Sequence, residues 1–158
     1  MEFGERIELL RKTVSGIMLT LLLIGVLTLS LNIKTAKAEP RTIIVPDHYP
    51  TIQQAINAAS PGDTIYVRAG TYPENVVVNK PVYLVGESAE NTIIDGSGAG
   101  HVIDVWGVSG IPTNVIITKF TITNCGTVAD ASGIHGVVCT NITIKNNNII
   151  ANNGNGIA

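Results

Sequence analysis

The last third of the chain contains one unit written nearly twice, and this imperfect repeat constrains the fold more than any other feature. NVIITKFTITN is followed, after a loop, by GIHGVVCT, and a second copy then reads NITIKNNNIIANNGNGIA. Copies that recur at a spacing of roughly two dozen residues are the sequence signature of a solenoid. Within each copy apolar residues alternate with polar ones, which is the periodicity of a strand and not of a helix.

The matched positions predict how the two copies stack. Four positions of the first copy have a counterpart in the second at one common sequence separation. The pairs are Val115 with Ile142, Ile117 with Ile144, Phe120 with Asn147 and Ile122 with Ile149. Gly133-Ile134 matches Gly156-Ile157 at a shorter offset, because the first copy has a longer loop. A single coil cannot bury both sides of its strands, so coils are stable when they stack. We therefore predict an all-β fold, a right-handed parallel β-helix.

Asparagines occupy the predicted corners of the coils. Asn tolerates a left-handed backbone, and its side chain can hydrogen-bond nearby main chain. Asn114 and Asn141 begin corresponding strands, so they are predicted to stack as a structural ladder. The alternative is that the asparagine-rich segment is a disordered polar tail. The regular isoleucines between the asparagines argue against that alternative.

The first 38 residues are predicted to be a leader. Three basic residues precede its apolar part, namely Arg6, Arg11 and Lys12. The apolar run Val14–Ile33 ends near Ala36 and Ala38, a small-x-small pattern that signal peptidases cleave. The run also approaches the roughly 20 residues that span a bilayer. Two alternatives therefore stand: a cleaved signal peptide, or an N-terminal membrane anchor. Both predict a secreted, cell-surface or periplasmic protein.

Composition fits one exported domain over residues 39–158. The chain is 45% hydrophobic and 14% charged, with a formal net charge of −2. Because there is no basic excess, we expect no nucleic-acid partner. A cap is predicted at about residues 41–62 and coils at about residues 63–158. The last coil stops partway, so further coils or a partner are expected at an open C-terminal end.

A short helix is predicted within the cap. Thr51 fits the N-cap position with Gln54 reaching back, and Ile52–Ala59 places its apolar residues on one face. The helix is predicted to cover the first coil. Short strands bounded by turn residues follow. The predicted strands are residues 41–45, 63–68, 75–79, 82–86, 91–96 and 101–106.

The string TIQQAINAASPGDTIYVRAGTYPENVVVNKPVYLVGE contains the spaced residues Gly70, Tyr72 and Glu74. It resembles the N-terminal part of pectin-lyase-like right-handed β-helix proteins, a group that includes pectin methylesterases and NosD-like proteins. The Gly70, Tyr72 and Glu74 element is similar to the first signature of pectin methylesterases. The resemblance implies three parallel sheets and a carbohydrate ligand. The strands here lack the family's Gln-x-Asp pairing, so no catalytic residue is assigned.

The remaining chemistry-bearing residues leave alternatives open. Cys125 and Cys139 can form a disulfide in an exported protein or remain buried free thiols. Stacking can bring His101 and His135 onto neighbouring coils, either as a two-histidine metal site or as ordinary surface or core residues. We assign no metal and no cofactor.

Two carboxylates are the remaining candidates for acid–base chemistry. Asp95 is predicted to form a turn, and Asp104 is predicted to face solvent. Because they lie on different faces of one coil, they are not expected to act on one bond. The predicted function is therefore binding of a polysaccharide or cell-surface glycan, or a role as a surface adhesion module. The alternative is a polysaccharide-active enzyme whose catalytic coils lie beyond this chain.

Overall fold

A computed structural model describes residues 3–30, 39–107 and 113–158. The chain divides into two compact units, Met1–Ala38 and Glu39–Ala158. The first unit contains one helix, α1 (Phe3–Ser30). Across the described ranges, no helix is both long enough and apolar enough to cross a membrane. The candidate cleavage residues Ala36 and Ala38 lie outside the described residues.

The second unit is mostly β-structure, with one short helix near its start. Its elements are β1 (Thr42–Val45), α2 (Ile52–Ala58), β2 (Thr64–Val67), β3 (Gly70–Pro73), β4 (Val76–Val78), β5 (Tyr83–Gly86), β6 (Thr92–Asp95), β7 (Ile103–Trp106), β8 (Val115–Thr118), β9 (Thr121–Thr123), β10 (Ser132–Val137), β11 (Ile142–Lys145), β12 (Asn148–Ile149) and β13 (Asn155–Ile157). The predicted strands all form within one or two residues of their expected bounds. Strand β3 is absent from the predicted strands, because its glycine and proline are unfavourable in strands.

The strands form three sheets that are parallel throughout. The first sheet has the order β1-β2-β5-β8-β11, the second β12-β9-β6-β3 and the third β13-β10-β7-β4. From β2 onwards the chain therefore visits the three sheets in a fixed order and returns to the first, and we call each such circuit a coil. The register of β11 on β8 pairs Ile142 with Val115 and Ile144 with Ile117. This arrangement is consistent with the predicted parallel β-helix.

The core lies between the three sheets and contains mainly valine and isoleucine. Alternate residues of each strand point inward, as in the buried-intermediate alternation of Thr64–Val67. The largest fully buried side chains are Phe120, Ile52, Ile56, Ile65, Leu84, Ile94, Ile103, Ile117, Ile122, Ile134, Val45 and Val67. Burying each such side chain contributes roughly 1.5–3 kcal/mol. Inward positions on successive coils are thus stacked columns of apolar residues.

The corners of the coils use left-handed backbone conformations that also stack. Asn114 and Asn141 have φ of 48° and 61°, as the asparagine pattern indicates, but Lys119 has φ of 65°. The Lys119 N–H donates to the carbonyl of Asn146, which has φ of 55° on the next coil, at 3.1 Å. Corner geometry is therefore set by the coil, and Asn is one of several residue types that adopt it.

Helix α2 covers the apolar interior at the end of the solenoid where the first coil lies. Thr51 is its N-cap, and Thr51 Oγ1 accepts the N–H of Gln54 at 3.2 Å. Ile52, Ala55 and Ile56 are buried. The helix ends with Ala59 as its C-cap. The spacing of these apolar residues, which the sequence predicts, therefore directs one helical face into the core.

Asp63 ties the cap to the first sheet. Its side chain is 2% exposed and accepts the main-chain N–H groups of Arg41 at 3.0 Å and Ser60 at 2.8 Å. Arg41 Nε also donates to it at 3.0 Å. Burial acts to raise the pKa of Asp63, but these hydrogen bonds and the Arg41 charge outweigh burial and hold the pKa below its ordinary value.

Gly86→Ala is expected to destabilise the second unit by about 1–3 kcal/mol, because overpacking forces the backbone apart. A Cβ at Gly86 would lie 2.0 Å from the Lys119 carbonyl oxygen on the next coil. Urea unfolding measures the change. Gly136→Ala is the matched control, since its Cβ would lie 3.7 Å from the nearest atom, Cys139 Sγ. Equal stabilities of the two variants would contradict this close approach.

Asp63 is expected to make stability sensitive to acid. A folded pKa below the unfolded value of about 3.9 gives stability that is present above that pH and is lost as pH falls through the folded pKa. Asp63→Asn should lower stability at neutral pH and flatten its decline between about pH 5 and pH 2. Thermal unfolding across that range tests this, with exposed Asp130→Asn as control. An unchanged acid slope in Asp63→Asn would refute the assignment.

Candidate binding face on the third sheet

The outer side of the third sheet gathers side chains from three coils, and all but one of them are polar or aromatic. The register places Val77 of β4, Asp104 of β7 and His135 of β10 in one row. Trp106 follows Asp104 by two residues on β7, so it points to the same side. His101 precedes β7 at the edge of this row. We call these five residues the third-sheet face.

Hydrogen bonds connect the polar members of the face. His135 Nδ1 lies 2.9 Å from Asp104 Oδ1, and Trp106 Nε1 donates to Asp104 Oδ2 at 2.7 Å. The side chains of His135 and Asp104 are 25% and 20% exposed, whereas Trp106 is 48% exposed. Asp104 thus orients an imidazole on one side and an indole on the other, and Trp106 remains about half exposed.

The two histidines lie against each other across neighbouring coils. The rings of His101 and His135 stack with centroids 4.0 Å apart and an interplanar angle of 7°. His101 Nδ1 is held by Ser132 Oγ at 2.9 Å, and Ser132 is fully buried. The two histidines therefore lie on neighbouring coils, the arrangement that the sequence left open, and their rings also stack.

This geometry does not suit a shared metal ion. The lone pair of an imidazole nitrogen lies in the plane of its ring. Two nearly parallel, separated planes do not direct their lone pairs at one point, so the stacked His101 and His135 rings cannot jointly bind one ion without turning. In the described part of the chain, no group of three or more His, Cys, Asp or Glu side chains is suited to a metal.

A shallow groove of about 330 Å³ runs beside the row. Its lining residues are Asn75, Val76, Val77, Ala99, Gly100, His101 and Asp104. Asn75 Nδ2 donates to the carbonyls of Ala99 at 2.5 Å and His101 at 2.6 Å, which fixes the loop at the groove wall. Asp104 lines this groove and also accepts the Trp106 indole N–H, so its carboxylate links the groove to Trp106.

The pectin-methylesterase-like residues have structural contacts. Tyr72 is 8% exposed, and its hydroxyl donates to the Arg68 carbonyl at 2.9 Å. A Cβ at Gly70 would lie 3.4 Å from the Tyr72 ring. Glu74 Oε1 and Oε2 accept the N–H groups of Ile52 and Gln53, both at 3.0 Å. Glu74 therefore satisfies the free N–H groups of Ile52 and Gln53 at the start of α2, a role that the sequence analysis assigned to no residue.

Gln53, presented by that helix, completes the edge of the third sheet. Its Nε2 donates to the Val77 carbonyl at 3.2 Å, and its Oε1 accepts the Val77 N–H at 2.7 Å. A side-chain amide thus takes the place of a neighbouring strand at β4. The hydrogen bonds of Glu74 to α2 therefore also hold one end of the third-sheet face.

The asparagine pair and the cysteines have structural contacts and are not members of the third-sheet face. Asn141 Nδ2 donates to Asn114 Oδ1 across two coils. The cysteines are free, and Cys125 is buried. The disulfide that the sequence left open is therefore absent. Its absence has a physical reason: Cys125 follows a strand of the second sheet, whereas Cys139 follows one of the third, where its thiol donates to the Val105 carbonyl at 3.0 Å.

The carboxylates do not converge on one site. Asp95 lies in the second sheet, where its Oδ1 accepts the Ser97 N–H at 2.8 Å, whereas Asp104 lies in the third. This agrees with the prediction that they lie on different faces. The residue that sequence reasoning missed is Trp106. The alternation in HVIDVW contained the signal, because it places Trp106 on the same side as Asp104.

Glu74→Ala is expected to destabilise the second unit by about 0.5–2 kcal/mol, because helix α2 loses the acceptor for its first N–H groups. Chemical denaturation measures the loss. Glu90→Ala is the matched control, since Glu90 is exposed. The assigned capping role would be wrong if both variants unfolded at the same denaturant concentration.

Comparisons with known proteins give one partial match. A probable pectinesterase/pectinesterase inhibitor 6 from Arabidopsis thaliana is 40% identical over 75 residues, a match that covers 40% of this chain and 13% of the relative. No family model matches the chain. No solved structure matches it either. The chain therefore has a pectinesterase-related homologue. The present chain spans 13% of the length of that relative.

Proposed function

We propose that this protein is an exported right-handed parallel β-helix that binds polysaccharide through its third-sheet face. The fold proposal is supported by three all-parallel sheets that the chain visits in a repeating order. The connection between parallel strands is right-handed in nearly all known cases, which supports the handedness. A relation to pectin methylesterases is supported by the partial pectinesterase match.

The observation that supports binding most directly is the open indole of Trp106. A sheet presents a rigid, flat surface, and an aromatic ring fixed on it can stack against the apolar face of a sugar. Trp106 is fixed by its hydrogen bond to Asp104 and is nevertheless 48% exposed. The neighbouring groove provides polar partners for sugar hydroxyls. An aromatic side chain together with a mainly apolar groove that carries a few polar groups is the usual composition of a specific small-ligand site.

An extracellular or cell-surface location is part of the proposal. It is supported by the basic residues and apolar run of the leader, and by the relative's name as a pectinesterase. The leader would be removed as a signal peptide or would remain as a tether to the membrane. A surface adhesion role is compatible with either outcome, because a bound glycan is also an attachment point.

A polysaccharide-active enzyme is the second candidate, and the pectinesterase relative favours it. Asp104, which lines the groove, forms a hydrogen-bonded pair with His135, and such pairs serve in general acid–base catalysis. Release of methanol or of new reducing ends from pectin would distinguish this candidate from binding alone.

Trp106→Ala is expected to weaken polysaccharide binding about tenfold or more, because a central aromatic side chain often supplies over 1 kcal/mol of binding free energy. Affinity electrophoresis in gels containing pectin or a neutral glucan measures it. Tyr83→Ala is the matched control, since Tyr83 is 40% exposed on the first sheet. Equal binding by the wild-type protein and Trp106→Ala, or absence of binding in the wild-type protein, would reject this function.

A further inference from the structure

We infer that the ligand of the third-sheet face is an uncharged sugar chain, neutral or methyl-esterified, and not a polyuronate. The inference rests on the proposed polysaccharide-binding function and specifies its ligand. Among the described residues that line the groove, the ionisable side chains are His101 and Asp104, and none is a lysine or arginine. A carboxylate-bearing sugar in the groove would therefore meet a carboxylate without a fixed cation to balance it.

The hydrogen bonds of Asp104 strengthen this argument. Its two oxygens accept His135 Nδ1–H and Trp106 Nε1–H, so the carboxylate is held between the imidazole and the sugar platform. It cannot turn away from a ligand stacked on Trp106 without losing these bonds. A uronate at this place would be repelled by the Asp104 carboxylate, because like charges repel and do so more strongly at a partly buried site than in water.

The stacked histidines present complementary hydrogen-bonding groups. Since Asp104 accepts from His135 Nδ1–H, the neutral His135 ring has its lone pair on Nε2. Ser132 is buried, and its hydroxyl hydrogen is satisfied when it is donated to His101 Nδ1, which places the other hydrogen of the neutral His101 ring on Nε2. The stacked pair therefore carries one Nε2 acceptor and one Nε2 donor, and both kinds of group complement sugar hydroxyls.

The net charge of the second unit, residues 39–158, also disfavours a polyanionic ligand. Residues 39–158 contain nine acidic and five basic side chains. A unit with a net negative charge repels a polyanion at long range, and this repulsion is screened by salt. Local and overall charge therefore both select against de-esterified polyuronates.

The experiment uses two galacturonans with one backbone, one highly methyl-esterified and one de-esterified, together with a neutral glucan. Isothermal titration of the full chain at low salt should give affinity for the esterified polymer about tenfold or more above that for the de-esterified one. The difference should shrink as salt is raised. The two galacturonans share one backbone and differ in esterification, so each is the matched control for the other.

Asp104→Asn removes the local charge, and it should narrow the difference between the two polymers severalfold. Asp130→Asn changes the net charge equally at an exposed position outside the face and should leave most of the difference. Val77→Lys is a second variant that keeps the Asp104 hydrogen bonds. Val77 is 39% exposed beside Asp104, so a lysine there should strengthen binding of the de-esterified polymer.

The outcomes separate the two proposals. Equal or tighter binding of the de-esterified polymer would overturn the inference and leave polysaccharide binding intact. A preference for the esterified polymer that neither Asp104→Asn nor Val77→Lys alters would also overturn it, because the charge at the face would not be its cause. If none of the three polymers binds, the proposed function fails and the inference fails with it.

Discussion

The register between coils is the constraint on which the rest of the structure depends. Each strand bonds through its main chain to strands of the coils before and after it, and the pairs Val76 with Ile103 and Ile134 with Ile103 show this for the third sheet. Because side chains alternate, a slip of one residue would turn every inward isoleucine toward solvent. The apolar columns and the main-chain bonds therefore favour the same alignment, and each coil is stabilised through its neighbours.

Close packing at the corners follows from that alignment. Main chain meets main chain where coils stack, and a Cβ at Gly154 would lie 1.8 Å from the Ala131 carbonyl oxygen. Left-handed residues and glycines at these positions let the coils approach to hydrogen-bonding distance. At the edge of the third sheet, where β4 has no neighbouring strand on one side, the Gln53 amide makes hydrogen bonds to the main chain of Val77 that a strand would otherwise make. Cap and coils are thus one hydrogen-bonded system.

The same register builds the candidate face. Asp104 and His135 are 31 residues apart in the chain, yet the pairing of β7 with β10 brings their side chains to 2.9 Å. A solenoid assembles a surface from one outward position per coil, so neighbouring groups in a site are distant in sequence. The face combines a half-exposed tryptophan, an oriented imidazole pair and one carboxylate. That combination is the basis of the proposed preference for an uncharged ligand.

By itself, the sequence determined the strands, the cap helix and the stacking partners within the repeat, because apolar alternation and the recurrence of Val115 and Ile117 are local patterns. It also placed Asp104 outward. Tertiary structure alone decided which outward residues meet. Whether His101 stacks on His135, whether the cysteines pair and which acidic residue caps α2 depend on alignment across coils, and loop lengths set that alignment. Glu74 reaches the start of α2 from more than 20 residues away, a distance that no local pattern encodes.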